Sequence, residues 1–270
     1  MKKPKLVFAT VGTSCIENCI PQYKTRTRDQ AVSVTMAVNK DLHQDHDSTR
    51  MKLLNDDPSL LDRPSSIVAN LEDGLLMFKK HIDKPGLRDH VRRVSAEVAS
   101  LLMMSQEKSI GPFGEGDQIW LLPSDTLIGQ VSAAANQLAL QKHLSPAKVT
   151  CTPPIKGVRF APEPNEERNL LNEFMTDGID QFESIIRTRR QKFLDDGGHP
   201  GNCLLDITGG FKALIFFAPF LCTRGLISEV FYFYSEALRP ARFGQEDVIA
   251  RVNDPEKPLP FPLIPVPGFE

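Results

Sequence analysis

The chain has 270 residues, 41% of them hydrophobic, with 34 acidic against 32 basic side chains, enough to bury one large core. A formal net charge of −2 argues against a long nucleic acid partner, whose affinity draws on a basic excess that neutralises phosphates, but leaves room for a small anionic ligand. No run nears the roughly 20 apolar residues that span a bilayer, and five dispersed cysteines (15, 19, 151, 203 and 222) read as reduced thiols of a cytoplasmic protein.

In chain order, the basic start Met1-Lys2-Lys3-Pro4 precedes the short apolar run Leu6-Val7-Phe8-Ala9, a buried first strand rather than a signal peptide. It runs into Val11-Gly12-Thr13-Ser14, a small turn offering backbone N–H groups and two hydroxyls. Open α/β sheets bind ligands at this place, outside the carboxyl ends of strands. Residues 22–63 are polar, charged and weakly periodic, an insertion with partial helix or a mobile surface segment; its His43-Gln44-Asp45-His46-Asp47 reads as a solvated loop rather than a metal site.

Val91, Val94, Val98, Leu101 and Leu102 mark a helix ahead of the second strand, Ile119-Trp120-Leu121-Leu122. That strand ends in Pro123-Ser124-Asp125-Thr126. Ser124 or Asp125 can cap the next helix, or the serine and the helix N-terminus can hold a phosphate. Leu127, Val131, Ala134 and Leu138 then recur at helical spacing as a one-faced stripe. Lys148-Val149-Thr150-Cys151 is a weaker strand. A long helical pattern through Leu171, Phe174, Met175, Gly178, Phe182, Ile185, Ile186 and Phe193 follows.

The strand Cys203-Leu204-Leu205-Asp206-Ile207 leads into Thr208-Gly209-Gly210-Phe211-Lys212 and the apolar helix Ala213-Leu214-Ile215-Phe216-Phe217. Paired glycines permit a tight turn whose N–H groups converge on an anion. Lys212, expected in the first helical turn, opposes the macrodipole, which makes sense if an anion sits there. The last strand is Val230-Phe231-Tyr232-Phe233-Tyr234. Six prolines between 255 and 267 favour extended chain, so residues 1–235 read as one domain and 236–270 as an extended proline-rich segment.

Continuously apolar strands alternating with helices predict a doubly wound, mainly parallel α/β sheet of Rossmann-like form. Three familiar signatures are missing: Gly-x-Gly-x-x-Gly after the first strand, the P-loop, and the Gly-x-Ser-x-Gly elbow.

Val-Gly-Thr-Ser after the first strand, Ser95-Ala96-Glu97 in a helix, Leu-Pro-Ser-Asp-Thr, and Asp-Ile-Thr-Gly-Gly-Phe-Lys together resemble the pattern of CRISPR-associated Rossmann-fold (CARF) proteins, from about Lys5 to Tyr234. The Thr-Gly-Gly-Phe-Lys element is the most specific of these. The polar insertion after the first loop departs from that pattern. The resemblance implies a homodimer whose first-strand loops and glycine–lysine turns form one pocket across a two-fold axis. It also implies a cyclic oligoadenylate ligand, the messenger of type III CRISPR immunity, with cyclic tetra-adenylate favoured.

Without a large second domain, the chain is similar to ring nucleases, which cleave that messenger without a metal or other cofactor. By carry-over, Ser14 would contact or orient the scissile phosphate and Lys212 would stabilise the charged transition state. Gly12, Thr13, Ser124, Asp125, Thr126, Thr208, Gly209, Gly210 and Phe211 would hold phosphates and ribose. Two other roles stay open: a non-catalytic sensor of the same ligand that signals to a partner protein, and a metabolic α/β protein binding a mononucleotide or sugar phosphate.

Overall fold

The computed structural model describes residues 3–12, 14–15, 58–82, 94–125, 127–156, 174–209, 214–234 and 239–253. Six strands form one sheet in the order β3-β2-β1-β4-β5-β6: β1 (Leu6–Val11), β2 (Gln118–Pro123), β3 (Lys148–Cys151), β4 (Cys203–Asp206), β5 (Glu229–Tyr234) and β6 (Arg239–Gly244). The first five are parallel to their neighbours and β6 is antiparallel to β5. All six residues of β1 are buried, as expected of a central strand covered on both faces.

Helices α1 (Pro58–His81), α2 (Ala96–Gln106) and α3 (Leu127–His143) cover one face; α4 (Ile179–Asp195) and α5 (Leu214–Thr223) cover the other, and α6 (Gln245–Asn253) ends the described chain. The alternation of β1 explains the two layers. Val7, Ala9 and Val11 join Leu71, Leu75, Val98 and Leu101 on the first face. Leu6 and Phe8 join Phe182, Ile186, Leu205 and Leu221 on the second, as a period of two requires. This is the doubly wound, Rossmann-like sheet that the apolar runs predict.

Two expectations change. The one-faced stripe predicted for α3 is displaced: Leu138 is 51% exposed, while Ser132, Ala135, Asn136, Ala139 and Leu140 are buried. Small side chains let α3 lie close to the sheet, and the bulkier Leu138 is left outside. Residues 236–270 are not extended throughout, since 239–253 form β6 and α6. The Arg-Pro-Ala-Arg-Phe-Gly segment pairs as an edge strand, where a proline is tolerated. Arg242 supports it by bonding Glu229 at 3.0 Å and lying 5.7 Å from the centroid of the Phe231 ring. The 22–63 insertion overlaps α1, which starts at Pro58. The proline run 255–267, Cys19 and the His43–Asp47 segment lie outside the described residues.

The amino rim of the sheet is locked separately. Lys5, just before β1, bonds Asp117 at 3.0 Å with both side chains about 5% exposed or less. Asp117 also accepts from the backbone N–H of Lys5 at 2.7 Å and of Gly114 at 2.9 Å. Lys5 further reaches the carbonyl of Pro112 at 2.9 Å and sits 4.8 Å from the Phe113 ring centroid.

Candidate functional site

The chain leaves β1 toward β2 and β3, then returns to β4 on the other side of β1. Such a reversal of strand order opens a crevice at the carboxyl ends of the two central strands. The register aligns Ala9 with Asp206 and Val11 with Pro123. Gly12 and Ser14 after β1, Ser124 and Asp125 after β2, and Thr208 and Gly209 after β4 therefore share one rim.

Glu97 lies between two of these turns, hydrogen-bonded to the first and close against the second. It lies in the first turn of α2, whose N-cap Ser95 accepts from the Val98 N–H at 3.1 Å. The side chain is fully buried, and donors surround it. The Gly12 N–H bonds Oε1 at 2.7 Å, the Ser14 hydroxyl bonds Oε2 at 3.2 Å, and the Asn136 amide bonds Oε2 at 3.3 Å. A buried acid stays in place only when so provided for. On its other side Glu97 meets the glycine turn, where a Cβ built on Gly209 would lie 2.5 Å from the Glu97 carboxyl carbon. Any side chain there would have to push the Glu97 carboxylate aside.

A second network holds the β4 turn. Asp206 Oδ1 accepts from the Thr208 N–H at 3.0 Å and from the Thr208 hydroxyl at 2.5 Å. Thr208 Oγ1 in turn accepts from the Phe233 N–H at 2.7 Å and lies 2.9 Å from Ser100 Oγ. Thr10, on β1, donates its hydroxyl to the Gly209 carbonyl. Asp206 Oδ2 is buried with no hydrogen-bond partner among the described residues. Burial, which the Thr208 bonds offset only in part, pushes the Asp206 carboxyl up to about 7.

Of the residues singled out from sequence, Gly12, Ser14, Ser124, Asp125, Thr208 and Gly209 stand on this rim. Ser124 and Asp125 are buried, and Ser124 bridges to Ile155. Thr13, Thr126, Gly210, Phe211 and Lys212 lie outside the described residues. Gly12 and Ser14 differ from free donors awaiting an anion: their N–H and O–H already point at the Glu97 carboxylate.

Sequence reasoning assigns no role to Glu97, and it passes over Asn136 and Ser100. The signal for Glu97 is a lone acid in the otherwise apolar stretch Ala-Glu-Val-Ala-Ser-Leu-Leu. Among the described residues no group of three or more His, Cys, Asp or Glu side chains could hold a metal ion. Cys151, Cys203 and Cys222 are free thiols, and burial pushes those of Cys151 and Cys222 up to about 12, which suppresses the nucleophilic thiolate. No helix among the described residues is long and apolar enough to cross a membrane.

A family model described as CRISPR-associated protein (Cas_APE2256) matches residues 92–239, just over half of the chain. The matched span carries Glu97, Asn136, Asp206, Thr208 and Gly209 and stops short of the Gly12–Ser14 turn. No curated protein matches the chain.

Proposed function

The chain belongs to the Cas_APE2256 family of CRISPR-associated proteins, and from that premise we propose that it binds a cyclic oligoadenylate, cyclic tetra-adenylate foremost, and cleaves it. The observation that carries this reading is the joining of the β1 and β4 turns through Glu97 at the switch point of the sheet. Two small-residue turns at adjacent strand ends make a surface where phosphate and ribose approach the backbone closely. The ligand is a symmetric polyanion, which suits a pair of such rims related by a two-fold axis in a homodimer.

Cleavage needs no outside reagent. The ribose 2′-oxygen attacks its own phosphorus, the bond from phosphorus to the 5′-oxygen breaks, and the 2′-proton ends on that oxygen. The products are a 2′,3′-cyclic phosphate and a 5′-hydroxyl, so atoms and electrons balance without water. The protein holds the in-line conformer, and Lys212 supplies charge to the crowded phosphorane. Turnover in this way removes the messenger and ends type III CRISPR signalling.

Titration calorimetry of the full chain with cyclic tetra-adenylate, AMP and a sugar phosphate tests the ligand class. Tight binding of the ring alone is expected. Binding of the mononucleotide or sugar phosphate in its place would make the protein a metabolic one. Ring binding with no product formed would identify the non-catalytic sensor.

A further inference from the structure

The hydrogen bonds around Ser14 have a fixed direction, and the direction decides what a ligand can offer it. The Val98 N–H can only donate, so Ser95 Oγ accepts from it at 3.1 Å and turns its own proton to Asn136 Oδ1 at 2.8 Å. That orients the Asn136 amide with its NH2 toward Glu97 Oε2 at 3.3 Å. Among the described residues, every hydrogen-bond neighbour of the Glu97 carboxylate is then a donor, so both its oxygens accept. Ser14 Oγ accepts from the Ala96 N–H at 2.9 Å and gives its proton to Glu97 at 3.2 Å. A hydroxyl has one proton and two lone pairs. One lone pair is all that Ser14 has left.

We propose that Glu97 is a positioning residue that takes the Ser14 proton and so presents Ser14 to the ligand as an acceptor, matched to a ribose 2′-hydroxyl and not to a phosphate oxygen. This rests on the ribose-bearing ligand proposed above and changes the role of Ser14 within it. Ser14 orients the attacking 2′-hydroxyl, and contact with the scissile phosphate falls to other groups. A phosphate oxygen is itself an acceptor and would meet the lone pair unfavourably. Glu97, buried behind Ser14 and Gly12, acts through them.

The test compares binding of cyclic tetra-adenylate with its all-2′-deoxy counterpart by the full-length wild type, Glu97→Gln and Ser14→Ala. In Glu97→Gln an amide NH2 can face Ser14 and turn the serine proton outward. The wild type is expected to favour the ribose ring by about tenfold or more, the worth of one such hydrogen bond. Both variants should bring that ratio to within roughly threefold of unity by weakening the ribose ring, so Glu97→Gln should raise KM for that ring in step with its Kd and also lower kcat. A merely structural Glu97 would weaken both rings alike and leave the ratio as in the wild type; that result overturns the proposal while the ligand assignment stands. A wild type that binds neither ring overturns the ligand assignment and this proposal with it. If Glu97→Gln does not fold, Glu97→Asp, one methylene short of Ser14, is read by the same ratio: a value near unity supports the proposal, and the wild-type value overturns it.

Discussion

The Glu97 carboxyl carbon lies 2.5 Å from where a Cβ on residue 209 would stand, so a side chain at that position would have to displace the acid on α2. Because Oε1 of the same carboxyl accepts from the Gly12 N–H at 2.7 Å, this contact fixes the spacing of the two turns that make the rim.

Gly209→Ala should therefore disturb the site more than a methyl group normally would. Moving the carboxylate aside strains its bonds to Gly12, Ser14 and Asn136. Overpacking of this kind costs about 1–3 kcal/mol. The expected outcome is a lower midpoint in chemical denaturation together with loss of ring cleavage; wild-type values for both would mean that the rim tolerates a wider gap.

Lys212→Ala should reduce kcat by about 10²–10³-fold, the usual result of deleting one donor that stabilises developing charge. The thermal midpoint is expected to stay at the wild-type value. Single-turnover cleavage and a melting curve decide the matter together, since an unfolded variant would make Lys212 a structural residue.

Asp206 predicts a pH dependence of stability. Its folded-state carboxyl titrates at about 7 instead of the usual 3.8, because burial disfavours the charge. Between about pH 4 and 7 the native state holds a proton that the unfolded chain has lost, so stability falls as pH rises through this window and levels off above it. The slope from this group approaches at most about 1.4 kcal/mol per pH unit. Asp206→Asn imitates the protonated acid, and urea melts of this variant between pH 4 and 8 should lack that component.

Lys5→Met should destabilise the fold by about 3–5 kcal/mol, because it leaves the buried Asp117 charge without its cation. The pair lies at the amino rim, far along β1 from Gly12. Ligand affinity of the folded fraction should equal that of the wild type in calorimetry, and a selective loss of affinity would contradict the separation of the two rims.

The strands of the parallel sheet are legible because each is a short, unbroken apolar run that needs cover on both faces. Strand β6 is hidden: Arg239-Pro240-Ala241-Arg242-Phe243 is charged and holds a proline, and its place as an edge strand depends on a partner that sequence spacing does not reveal. The buried face of α3 escapes the pattern because large residues draw the stripe, whereas contact with the sheet selects small ones such as Ala135 and Ala139. The turns at residues 12–14 and 208–209 stand out by composition. Their common tie to Glu97 does not, since α2 lies more than eighty residues from the first turn and more than a hundred from the second.

The most direct test is product analysis after incubating cyclic tetra-adenylate with excess full-length protein in the presence of a chelator. Linear adenylates ending in a 2′,3′-cyclic phosphate and a 5′-hydroxyl are the predicted products, formed by the wild type and greatly reduced in Lys212→Ala. An intact ring after hours of incubation with the wild type would contradict cleavage at this rim.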